Sequence, residues 1–81
     1  MDEVVEEIDK AIDLVRDWQP MGLPSGCQSF SGSAEGWRFY VSTYGLAKYD
    51  GACRNAERGI VWHLTKSQAR KAVGCALKVL S

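Results

Sequence analysis

Apolar and polar positions alternate along this chain with two periods. Over the first eighteen residues Val4, Ile8, Ala11, Val15 and Trp18 recur at spacings of four, three, four and three, and Val5 and Ile12 widen the stripe. That period predicts an amphipathic helix running to Trp18. Pro20 ends it, because the residue before proline is pushed out of helical geometry. Residues 20–26 (Pro-Met-Gly-Leu-Pro-Ser-Gly) read as a connection rich in breakers. Cys27 to Ser31 reads as a short strand around Phe30, and residues 31–36 as a flexible turn.

The period then changes to two. In Trp37 to Tyr44, Trp37, Phe39, Val41 and Thr43 share one face of a strand, and Arg38, Tyr40, Ser42 and Tyr44 the other. Residues 45–58 carry an Asp50-Gly51 turn signal, and Ala52 to Arg58 fits a loop, an irregular strand or one helical turn. Gly59 to Leu64 alternates as a strand. A final helix enters at Thr65, whose spacing to Gln68 makes a capping box, with Leu64 and Ala69 placed as a hydrophobic staple. Its predicted buried stripe is Ala69, Ala72, Val73, Ala76, Leu77 and Leu80; Ser67, Arg70, Lys71, Gly74 and Lys78 fall outside it. The expected architecture is one α+β domain over residues 1–81. Its order is α-β-β-β-α, a small antiparallel three-stranded sheet with two helices packed on one face.

Charge changes the picture more than composition does. The 46% hydrophobic and 25% charged residues are an ordinary globular balance. The net charge of zero hides a segregation: residues 1–20 hold seven acids and two bases, and the remainder holds three acids and eight bases. Asp2, Glu6, Asp9, Asp13 and Asp17 line the polar face of the first helix, where neighbouring carboxylates repel one another. They are candidate partner-binding residues for a protein with a basic groove. At the other end, Lys66 stands in the first turn of the last helix, where the dipole disfavours a cation. A local rule broken at a helix entrance invites a functional explanation. Lys66, Arg70, Lys71 and Lys78 are the candidate phosphate contacts of an alternative nucleic-acid-binding reading, in which Arg38, Tyr40 and Tyr44 could also stack single-stranded bases.

The run Thr65-Lys66-Ser67-Gln68-Ala69-Arg70-Lys71-Ala72-Val73, with the element order, resembles the double-stranded-RNA-binding domain. The resemblance implies that Lys66 and Arg70 match basic phosphate-holding positions and that Ala69 and Ala72 match packing alanines. Ser67 replaces a lysine of that pattern, the family's Gly-Pro-x-His turn is absent, and the first helix is acidic. The helix entrance also looks like the DNA-binding domains of some phage integrases. Small size and an acidic helix look in turn like phage-encoded nucleic-acid mimics that antagonise host defence, such as anti-CRISPR proteins. On that resemblance the expected function is non-catalytic protein binding and inhibition, with Tyr40, Tyr44 or Tyr49 as aromatic anchors.

Other chemistry is thinly represented. Cys27, Cys53 and Cys75 are odd in number and lack a Cys-x-x-Cys pair, and His63 is the single histidine, so neither a disulfide scaffold nor a zinc site is expected. Cys53 beside Arg54 is the candidate for oxidative cross-linking of two copies if exposed. A Cys–His catalytic pair of Cys27 or Cys53 with His63 would need spatial adjacency, so no enzyme and no cofactor is expected. No apolar run approaches the ~20 residues that span a bilayer. The expected protein is cytoplasmic, without membrane contact, and a monomer or homodimer.

Overall fold

The computed structural model describes residues 2–22, 27–44 and 48–81; for Asp2, Cys27 and Tyr44 it describes the backbone only. The order is α1 (Asp2–Leu14), β1 (Gln19–Pro20), β2 (Cys27–Ala34), β3 (Trp37–Tyr44), β4 (Lys48–Asn55), β5 (Ile60–His63) and α2 (Lys66–Leu80). The sheet is an antiparallel meander of five strands in sequential order, where three were expected.

The added strands are β1 and β4, and β2 runs longer than expected; β4 and the extension of β2 lie where residue type argued for turns. β2 continues through Ser31, Gly32 and Ser33 because Gly32 is a contact surface for the end of α1. A Cβ there would stand 2.6 Å from Val15 Cγ1 and 2.9 Å from Trp18 Cε3. The turn falls instead at Glu35 and Gly36, both at positive φ (54° and 84°), which suits a tight hairpin. Likewise Asp50-Gly51 sits inside β4. The Asp50 carboxylate accepts the Gly51 N–H at 2.9 Å, and a Cβ on Gly51 would meet Tyr40 O at 2.7 Å and Val41 Cγ1 at 2.9 Å. Glycine is used here for close approach within the sheet.

The first helix is shorter than its hydrophobic period. It closes at Leu14 with a tightened bond from Val15 N–H to Ile12 O at 3.3 Å. Residues 15–18 leave helical geometry so that Gln19 and Pro20 can pair with Ser31 and Phe30. Val15 and Trp18 still reach the core, at 2% and 3% exposure. An apolar stripe of period 3.6 therefore outlasts the helix itself.

One continuous core joins the layers. Trp37, Phe39 and Val41 of β3, with Phe30 of β2 and Cys53 of β4, face Ile8, Ala11 and Ile12 of α1 and Ala69, Ala72, Val73 and Ala76 of α2. Both helices thus cover the same sheet face. The capping box of α2 is formed: Thr65 Oγ1 accepts Gln68 N–H at 3.1 Å, and Gln68 Oε1 accepts Thr65 N–H at 3.0 Å. Gln68 Nε2 also donates to the Val5 carbonyl at 3.4 Å, tying one helix to the other. Leu77 and Leu80, expected in the buried stripe, are 44% and 43% exposed, because α2 continues beyond the end of α1. Cys53 is fully buried, which removes it as an oxidative cross-linking residue, and burial pushes its thiol pKa up to about 12. No described helix is long and apolar enough to cross a membrane.

Candidate functional site

The acidic candidates do not form one solvated row. Asp17 lies beyond the helix end and binds Ser33: its carboxylate accepts the Ser33 N–H at 2.7 Å and the Ser33 hydroxyl at 2.8 Å. The Ser33 N–H is the main cause that holds the Asp17 carboxyl below its ordinary pKa, opposed by desolvation and aided by the hydroxyl and the Arg38 charge. Asp13 accepts the Lys71 ammonium at 3.0 Å, and Lys71 also donates to the Asp9 carbonyl at 3.1 Å. Glu6 is exposed, Asp9 is half-buried, and the Asp2 side chain lies outside the described residues. Glu7, outside the proposed row, pairs with Arg58 and accepts Trp37 Nε1–H at 3.1 Å.

The basic candidates separate in the same way. Lys71 is held by α1, and Lys78, twelve residues beyond Lys66, lies ~18 Å along the helix axis from it. Lys66 and Arg70 remain together at the entrance of α2. With Ser67 they line a hollow of about 280 Å³. Lys66 also borders an open cleft of about 660 Å³, lined further by Lys48, Tyr49, Asp50, His63 and Leu64. The cleft exists because β5 stops at His63 while β4 extends on to Lys48. The Leu64 N–H still bonds the Gly51 carbonyl at 2.9 Å, and there the chain turns away into α2.

Unpaired positive charge is concentrated at this corner. Lys48, Lys66 and Arg70 have no carboxylate partner among the described residues, and the Arg70 guanidinium lies 5.2 Å from the Tyr49 ring centroid. The first-turn N–H groups of Lys66 and Ser67 add partial positive charge. Asp50 is the bordering carboxylate, and it stands 3.2 Å from His63 Nε2. The cost of a cation at a helix entrance is thereby placed where an incoming anion would offset it.

Lys48, Asp50 and His63 were absent from the sequence-derived site. Their meeting depends on the β4–β5 register, in which Ala52 pairs with His63, and no local spacing announces that pairing. Cys53 and His63 lie on opposite faces of the sheet, so the two do not form a nucleophile–base pair. The Tyr44 side chain and the Cys27 side chain lie outside the described residues. No family model matches this sequence, and neither does any characterised protein or solved structure with which it was compared.

Proposed function

We propose that this chain is a non-catalytic nucleic-acid-binding module that holds phosphates at the entrance of α2. The observation that carries the reading is that Lys66 lines both hollows, one shared with Lys48 and the other with Ser67 and Arg70. Lys and Arg on such a surface neutralise phosphates and release counterions. The basic Lys66 and Arg70 positions are also those that resemble the phosphate-holding entrance of double-stranded-RNA-binding domains. Neutral overall charge does not oppose this reading, since Glu7 and Asp13 are paired with Arg58 and Lys71, and Asp17 is bound to Ser33.

The test is a fluorescence-anisotropy titration of labelled duplex and single-stranded oligonucleotides at about 50 and about 200 mM salt. The double variant Lys66→Ala/Arg70→Ala should weaken binding and lower the slope of log K against log salt by about 1.4–1.8, the loss of two phosphate contacts. Unchanged affinity and slope in that variant would refute the site.

A second reading keeps the acidic helix as a surface for a protein with a basic groove, as in an anti-CRISPR-like inhibitor. Its support is that exposed Glu3 and Glu6 have no cationic partner among the described residues. Glu6→Gln with Asp9→Asn should weaken such a complex but strengthen binding to nucleic acid by removing repulsion.

A further inference from the structure

The sheet face left bare by the helices breaks a pairing rule. Arg38 on β3 and Arg54 on β4 are direct cross-strand partners, and like charges in that relation destabilise a ladder. Both are exposed, on the face opposite buried Trp37, Phe39 and Cys53. The nearest balancing group for Arg38 is Asp17, whose carboxylate is already bound to Ser33. Arg54 has no acidic or hydrogen-bonding partner among the described residues. Two arginines paired across the ladder, with no ion pair to a carboxylate among the described residues, leave a place for an external anion.

Aromatic surface stands next to them. Tyr40 is 40% exposed, and Arg38 Cζ lies 5.9 Å from its ring centroid. Tyr40 is two residues from Arg38 along β3 and diagonal to Arg54 across the ladder, a Cα separation of roughly 7–8 Å. The positions beside Tyr40 and Arg38 are small: Ser31 and Ala52 flank Tyr40 in register and Ser33 flanks Arg38, while exposed Val61 flanks Arg54. The Tyr40 ring thus stands above a low floor. The Tyr40 row continues through Ala52 to His63, and His63 borders the cleft that also contains Lys48 and Lys66. The two basic regions therefore form one track around the end of β5.

We propose that this track binds a single-stranded nucleic acid, with a base stacked on Tyr40, a phosphate between Arg38 and Arg54, and the strand continuing past His63 to Lys66. The inference rests on the nucleic-acid reading of the cleft and names its substrate as single-stranded. The reason is geometric. A ring on an open sheet can stack only with a base free of its own neighbours, whereas a duplex offers phosphates but keeps its base faces stacked. Asp50, held by His63, is the carboxylate that the strand must pass.

The experiment is a competition titration of the full chain with a single-stranded 12-mer and its duplex, in DNA and in RNA, at low and moderate salt. The single strand should bind more tightly than the duplex. Tyr40→Ala should reduce single-strand affinity by about 5-fold or more, the usual loss of one stacked base, and leave duplex affinity unchanged, while Tyr40→Phe should restore it. Arg54→Ala should reduce the salt slope by about 0.7. Because both residues are exposed, circular dichroism should show unchanged folding. Equal affinity for the two forms, with Tyr40→Ala neutral, would overturn the single-strand assignment and leave phosphate binding at Lys66 and Arg70 standing. Binding to neither form, with retention of an acidic polypeptide such as polyglutamate, would overturn both and make the basic track a protein-docking surface.

Discussion

Replacing Gly32 with alanine tests how the helical layer is seated on the sheet. The added methyl would stand 2.6 Å from Val15 Cγ1 and 2.9 and 3.0 Å from two carbons of the Trp18 ring. Ordinary carbon–carbon contacts lie at ~3.5–4.0 Å, so the shortfall is about 1 Å against a short, branched side chain and a rigid ring. Neither can retreat into solvent, since Val15 and Trp18 are 2% and 3% exposed. Overpacking of this kind costs ~1–3 kcal/mol. Loss of glycine's freedom in the unfolded chain returns ~0.4–1 kcal/mol; with the overpacking cost at or above the middle of its range, because both neighbours are stiff and buried, the net destabilisation is about 1–2 kcal/mol. For a domain of this size the melting temperature should fall by about 4–16 °C. Urea and thermal denaturation followed by circular dichroism measure both quantities. In a Val15→Ala background the shortest of the three contacts disappears, so the double-mutant cycle should show a favourable coupling of at least ~0.5 kcal/mol. A neutral or stabilising Gly32→Ala would refute the argument, for it would mean that the segment after α1 does not press on β2 and that residues 31–36 form the loose turn their composition suggests.

Two further outcomes follow from the same corner of the fold. Trp18→Ala should destabilise the protein by ~3–5 kcal/mol in urea denaturation, because the indole is buried against Gly32 and packs 6.3 Å, centroid to centroid, from Phe39; an unchanged midpoint would make Trp18 a surface residue. Asp17→Asn should cost about 1 kcal/mol near neutral pH, a figure kept small because the carboxylate is solvent-screened. The folded pKa of Asp17 is lowered, so its contribution is present above the unfolded value of 3.8 and lost as pH falls through the lower folded value. Denaturation midpoints of wild type and variant should therefore converge toward the acid end, and a gap that stays constant from neutral pH down to that end would refute the linkage.

Local spacing alone determined the two helices and the core face of β3, through their hydrophobic period, and the capping box of α2, through Thr65 and Gln68. These are local properties: an apolar stripe needs only its own segment to announce that it will be buried, and Thr65 and Gln68 bond within four residues. The α+β class follows from that information. The number and length of the strands did not, because β1 is two residues among breakers, and Gly51 inside β4 and Gly32 in the extension of β2 look like turn residues until the partner that presses on each is known. The end of α1 was hidden for the same reason. Val15 and Trp18 keep the helical spacing, yet the pairing of Gln19 and Pro20 with β2 draws the chain out of the helix before them.

Charge shows the same division between local and long-range information. The sequence located the acids and bases but could not say which partner each would bind. The packing of α2 beside α1 gives Lys71 to Asp13, and the run of β1 beside β2 gives Asp17 to Ser33. Among the charges left unpaired is the basic entrance at Lys66 and Arg70, legible as a cation at the wrong end of a helix dipole. Lys48 and His63 join it, and Arg38 meets Arg54, only through strand register. Register is set by the burial of alternate side chains over whole strands, so a one-residue slip would turn Arg54 toward the core and Cys53 outward. The charges of the candidate surface are thus written in the sequence, and their convergence is a property of the sheet.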